Sequence, residues 1–170
     1  MRVCFVVNSV KTQRPTYTTA HLGFSALRRG HEVAMVSVDD LSHADDGRVF
    51  GSLAQASGTP KDTAAFVRAL NNSPREQGCL SDFDVVFLRN NPQSSEGGGA
   101  HFNPAITFGL RLKHAGVMVV NDPVGLMRAG SKMYLSVFPP EIRPRTLTTR
   151  SPERVRSFLR ALAGPAVLKP

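Results

Sequence analysis

The groups in this sequence that could do chemistry are few, and most stand where apolar runs end. Arg89-Asn90-Asn91-Pro92 comes directly after Val85-Val86-Phe87-Leu88. Ligands of a parallel sheet collect outside the carboxyl ends of its strands, so an arginine in that place is set to meet a substrate. The competing reading is an ion pair with a nearby acid such as Asp84. Two further turns, beginning at Asn8-Ser9 and at Asn121-Asp122-Pro123, are expected at the same edge. Lys132, beside a helical segment, and Lys169, at the end of an apolar run, read on residue type alone as solvated cations.

Other chemistries find no residues arranged for them. Gly125, Gly130, Ser131 and Lys132 mimic a phosphate-cradling loop, but that motif needs Gly-Lys followed by Ser or Thr, set directly between strand and helix. Gly97-Gly98-Gly99 lacks a fixed third position and a lysine, and reads as a flexible hinge or lid. His21, His31, His43, His101 and His114 have neither the i, i+4 spacing nor the acidic neighbours of a metal site or triad. Cys4 and Cys79 fit reduced thiols better than a disulfide framework. The absence of Gly-x-Ser-x-Gly removes support for hydrolase chemistry.

The elements that must position these groups follow from periodicity. Residues 3–7, 33–38, 85–88 and 117–120 are short, β-branched and apolar, as buried strands are. Helices are expected over about 18–29, with Leu22, Ala26 and Arg29 on one line and Gly30 as cap, over 61–70, and over 103–114, closed by Gly116. Residues 39–80 are otherwise polar and carry turn signals, and 93–100 is Ser/Gly-rich and reads as a mobile loop. Strand and helix alternate, which predicts an α/β fold: a Rossmann-like parallel sheet with helices on both faces.

After Pro123 the pattern changes. A helical segment near 124–137, a Pro-rich link, a short strand at 146–148 and a helix follow. That helix is capped by Ser151, with Pro152 in its first turn and Val155, Phe158, Leu159 and Leu162 on one face. A strand is expected to begin at 166. The boundary falls near 122, giving one domain over 1–122 and the start of another over 123–170.

A chain of 170 residues, 41% hydrophobic, can bury a substantial core. The N-terminal apolar run is too short for a secretory signal or membrane span, so a cytoplasmic protein without membrane attachment is expected. Residues 1–122 hold 12 Lys/Arg against 11 Asp/Glu, while 123–170 hold 9 against 2. Nearly all of the formal net charge of +8 therefore sits in the last segment, where it suits phosphates, or a face covered by an acidic partner, or a solvated surface.

Asp84-Val85-Val86-Phe87-Leu88-Arg89-Asn90-Asn91-Pro92, then Gly116-Val117-Met118-Val119-Val120-Asn121-Asp122-Pro123, Ser131-Lys132-Met133 and Val167-Leu168-Lys169-Pro170 together resemble prokaryotic glutathione synthetases of the ATP-grasp superfamily. The resemblance covers nearly the whole chain and is strong over about 1–38 and 82–170. It implies a pre-ATP-grasp domain over 1–122 and the opening, partial α+β portion of an ATP-grasp domain over 123–170. It further implies ATP and Mg2+ as cofactors, with the magnesium carboxylates outside this segment, and Lys132 and Lys169 as the two cations on the ATP phosphates. In such enzymes a substrate carboxylate is phosphorylated by ATP and an amine displaces the acyl phosphate, so positioning and electrostatic stabilisation dominate. No catalytic residue is assigned here, and this segment alone is expected to be inactive.

By the same resemblance Arg89 binds the peptide substrate through a carboxylate, with Asn91, Thr18 and Thr19 beside it. The sequence departs from the family there. Arg89-Asn90-Asn91-Pro92-Gln93 stands in place of Arg-Lys-Asp-Pro-Pro, and Tyr17 replaces an aspartate. The expected partner is thus a small peptide or amino acid, its identity open, and a homo-oligomer is left open too. Two other classes compete with the ligase. One is a nucleic-acid-binding module built on the arginines of 143–160, against which the near absence of interleaved aromatics counts. The other is a non-catalytic dimerisation or regulatory domain.

Overall fold

Runs of β-branched and aromatic residues become strands here, and the amphipathic runs between them become helices. A computed structural model describes residues 1–91, 103–162 and 164–169, in two compact units, Met1–Met127 and Arg128–Pro170. In chain order the first unit holds β1 (Arg2–Val7), α1 (Thr18–Arg28), β2 (Glu32–Ser37), β3 (Ser42–His43), β4 (Val49–Gln55), α2 (Thr63–Asn72), β5 (Arg75–Cys79), β6 (Val85–Leu88), α3 (Pro104–His114) and β7 (Met118–Val120). Helix α4 (Pro123–Ala129) spans the division.

The four strands expected from sequence pair parallel in the order β2-β1-β6-β7. Side chains of β1, β2 and β6 alternate between two covered faces, while on the edge strand β7 Met118 is 63% exposed. Val3, Phe5 and Val7 of β1 join Met35 of β2, Ala20 of α1 and Phe66, Val67 and Leu70 of α2 in one cluster. Cys4 and Val6 join Val36, Val86, Leu88 and, from α3, Ala105 and Leu112 in the other. Each fully buried aliphatic or aromatic side chain contributes about 1.5–3 kcal/mol, so a strand buried on both faces must be apolar throughout. The chain passes from β1 to β2 in one direction and from β6 to β7 in the other. Crossovers of one hand then put α1 and α3 on opposite faces and leave a switch point between β1 and β6.

Two expectations change in detail. Residues 39–80 carry, besides their helix, three antiparallel strands: β4 pairs with β2, and both β3 and β5 pair with β4. The edge strand β5 is Arg-Glu-Gln-Gly-Cys, and a polar edge strand carries no hydrophobic signal while discouraging edge-to-edge association. On α1 the buried residues are Thr19, Ala20 and Gly23, and Leu22 is 42% exposed. The helix turns its smallest residue inward because a Cβ at Gly23 would lie 2.8 Å from Cζ of buried Phe66. Gly30 closes α1 with φ of +80°, a conformation that favours glycine.

In the second unit α5 (Pro152–Arg160) starts as expected, with Ser151 Oγ accepting from the Arg154 N–H at 3.4 Å and Pro152 in the first turn. Its apolar residues are not buried: Val155 and Phe158 are half-buried and Leu159 is exposed. The helix expected over 124–137 is interrupted. Helix α4 stops at Ala129, and Ser131 restarts the chain as a 3-10 turn, Lys132–Val137, by accepting from the Met133 N–H. Neither 146–148 nor the residues from 166 form a strand, since no described segment pairs with them; Val167 and Leu168 are 82% and 85% exposed. A strand exists only through its neighbour's hydrogen bonds. The Ser/Gly-rich stretch 93–100 lies outside the described residues. No helix among the described residues is long and apolar enough to cross a membrane.

Candidate functional site at the sheet switch point

The carboxyl ends of β1 and β6 diverge at the switch point, and the residues just beyond them tie the two loops together. Arg89 N–H donates to the Val6 carbonyl at 2.8 Å, the last backbone bond before the chains separate. Past it, Asn8 Nδ2 donates to the Asn91 carbonyl at 2.7 Å, and the Asn91 N–H donates back to Asn8 Oδ1. The first loop is also fixed from the other side, since Val10 N–H donates to Ser37 Oγ at the end of β2.

Arg89 is exposed and donates Nε–H to Thr19 Oγ1 at 3.4 Å. Thr19 is only 7% exposed and sits in the first turn of α1, so the hydroxyl is a fixed anchor. A guanidinium has five donors, and no other described residue takes the two-nitrogen end of this one. That end is the part that grips a carboxylate with two parallel bonds. Asn90 Nδ2 donates to Asn103 Oδ1 at 2.8 Å, and Asn103 in turn caps α3 by accepting from the Ala105 N–H. Asn90 Oδ1 is buried without a hydrogen-bond partner among the described residues. At the end of β7, Asn121 Nδ2 donates to the Leu88 carbonyl at 3.4 Å. Asp122 pairs with Lys113 at 2.6 Å and accepts from the Gly125 N–H; both partners are about half exposed, so the pair contributes only about 0–1 kcal/mol. The result is an exposed cation anchored on one hydroxyl, on a loop tied down by asparagine amides, and a guanidinium so held is suited to gripping one carboxylate.

Of the residues expected from sequence, Arg89, Asn91 and Thr19 meet here, and Thr18 opens α1 at the same edge with an exposed side chain. The alternative pairing of Arg89 with Asp84 is not formed. Asp84 accepts from the Arg2 N–H at the other end of β6, about 16 Å away at 3.3 Å per residue. Lys132 and Lys169 belong to the second unit and are exposed. Sequence reasoning assigned no role to the side chains of Asn8, Asn90, Asn103 or Asn121. The available signal was an asparagine just past each of β1, β6 and β7. A concavity of about 450 Å³ lies elsewhere, lined by Asp46, Arg48, Arg111 and His114. There Asp46 is held below the usual carboxylate range by the Arg48 N–H and then the Arg48 guanidinium, and Arg111 donates to the Gly47 carbonyl at 3.4 Å.

Residues 1–127 match the family described as prokaryotic glutathione synthetase, N-terminal domain. The chain belongs to this family. Among individual proteins it is similar to the glutathione synthetase of Brucella melitensis, 30% identical over 90% of this chain and 45% of the relative. It is similar also to that of Synechococcus elongatus, 30% identical over 100% of this chain and 52% of the relative, and to that of Vibrio parahaemolyticus, 28% identical over 85% and 42%. The chain spans about half the length of the curated relatives it matches. The Arg89 cluster of this glutathione synthetase N-terminal domain lies wholly inside the matched residues.

Proposed function

We propose that this chain is the substrate-binding part of an ATP-dependent carboxylate–amine ligase of the glutathione synthase type, which joins γ-glutamylcysteine and glycine through an acyl phosphate. The reading rests on one observation above others: an exposed guanidinium, anchored among the described residues through Nε, at the switch point of a family-matched sheet. Arg89 holds a carboxylate of the peptide, Thr19 orients the guanidinium, and Asn91 and Thr18 border the bound peptide. Residues 1–122 form the pre-ATP-grasp domain and 123–170 open the ATP-grasp domain.

ATP, which supplies the phosphoryl group when bound, fits the second segment by charge: Lys132 and Lys169 are exposed cations in a stretch with 9 Lys/Arg against 2 Asp/Glu. They would hold the phosphates as point charges. Magnesium is different. Among the described residues no group of three His, Cys, Asp or Glu stands together, and on this reading the magnesium carboxylates lie outside this segment.

The test is ADP release by the intact protein with ATP, Mg2+, γ-glutamylcysteine and glycine, with other dipeptides and amines in parallel. Release requires both a peptide and an amine. Arg89→Ala removes a charge-assisted contact worth about 1.5–3 kcal/mol, and so raises the peptide KM roughly 10- to 100-fold. Release that ignores the peptide, or an unchanged KM in the variant, overturns the proposal.

A further inference from the structure

We infer that Asn8 is the positioning residue for Arg89: its carboxamide extends the β1–β6 ladder by one side-chain rung and fixes the loop that carries the guanidinium. The inference rests on the proposed reading of Arg89 as the peptide's carboxylate ligand and adds what orients it. Backbone pairing between the two strands ends with the Arg89 N–H on the Val6 carbonyl. Two residues further along each chain the Asn8 side chain makes both bonds of a peptide group, accepting from the Asn91 N–H and donating to the Asn91 carbonyl. The step of two residues on both chains is the repeat of a parallel ladder, so Asn8 Oδ1 takes the Asn91 N–H that the Asn8 carbonyl would take in a further rung, and Nδ2 adds a second bond to the same residue.

The consequence for Arg89 is geometric. Its own N–H is held by Val6 on one side, and the residue two beyond it is held by Asn8 on the other. With both flanks bonded to β1, the Arg89 Cα cannot drift, and its side chain meets Thr19 on α1. Displacement of a binding group by about 1 Å can cost on the order of a hundredfold in rate. Only a group with both a donor and an acceptor serves this rung. Aspartate matches asparagine in shape, but an ionised carboxylate is acceptor-only and would set a negative oxygen against the Asn91 carbonyl.

That difference supplies the test, made on the intact protein with γ-glutamylcysteine and ATP as the substrates varied. Asn8→Ala raises the peptide KM roughly tenfold, leaves the nucleotide KM in place, and speeds amide hydrogen exchange at Asn91, a readout that needs no ligand. Asn8→Asp shows the same defect near pH 7.5. Relative to wild type at each pH, its defect shrinks as pH falls toward about 5, because the protonated carboxyl regains a donor and a carbonyl facing it raises its pKa. Asn8→Ala shows no such recovery. A wild-type peptide KM in both variants, or a defect in Asn8→Asp that does not respond to acid, overturns the inference while the Arg89 reading stands. An Arg89→Ala variant with unchanged peptide KM instead removes the reading itself, and the inference with it.

Discussion

Cys4 lies at the centre of β1, completely enclosed, and burial pushes its thiol pKa up to about 12 from 9.0. Its surroundings are Val6, Ala34, Val36 and Val86, so nothing near it favours a thiolate. Below about pH 9 the thiol is protonated in both folded and unfolded chains and contributes nothing to pH dependence. Between about 9 and 12 the unfolded chain loses the proton and the folded one keeps it, so stability falls as pH rises, by about 1.4 kcal/mol per unit at most. Urea unfolding across that range is expected to show a steeper loss in wild type than in Cys4→Ala, whose curve lacks this contribution. The polar residues of the site behave differently. Asn8, Asn90 and Asn91 were visible as residue types past strand ends, yet Asn8 pairs with Asn91, 83 residues away, and Asn90 pairs with Asn103. No local pattern encodes which amide meets which.

At the scale of elements, the site depends on where helices begin. Helix α3 starts at Pro104 with Asn103 as its cap, and the oxygen that accepts from the Ala105 N–H also accepts from Asn90 Nδ2. Asn103→Ala removes the cap and leaves the Asn90 amide without its acceptor. Loss of the cap alone costs about 1 kcal/mol, and thermal unfolding is expected to come a few degrees lower; Asn103→Ser, which keeps a capping oxygen, recovers part of it. Helix ends were legible because their rules are local: Gly30 after α1, Ser151 and Pro152 at the start of α5. Strands β4 and β5 were not, since β4 forms beside β2 and β5 beside β4, partners that no local pattern names. The same logic explains 146–148 and 166–169, whose apolar residues have no ladder to join among the described residues.

Over the whole molecule the charge is divided as sharply as the fold. Residues 1–122 are nearly neutral, and 123–170 carry a formal +7, from 9 Lys/Arg against 2 Asp/Glu. We propose that this segment meets the nucleotide phosphates, with Lys132 and Lys169 central. In the intact protein, Lys132→Ala combined with Lys169→Ala is expected to weaken ATP binding at least tenfold by calorimetry, corresponding to loss of about 1.4 kcal/mol or more. The peptide KM is expected to stay within twofold. The 170-residue chain assayed alone is expected to release no ADP. Turnover by this chain alone, or undiminished nucleotide affinity in the double variant, would refute this view of the segment.

The sequence by itself determined the four parallel strands, the helices that cover them and the edge at which Arg89 and Thr19 stand, because burial on two faces demands continuous apolar runs and helix ends obey local rules. Only the tertiary structure decided that β3, β4 and β5 extend the sheet, that Leu159, Val167 and Leu168 of the last segment stay exposed, and that Asn8 closes on Asn91. Those outcomes are set by hydrogen bonds and contacts between residues far apart in the chain, and such pairings exist only once the sheet has brought the segments side by side.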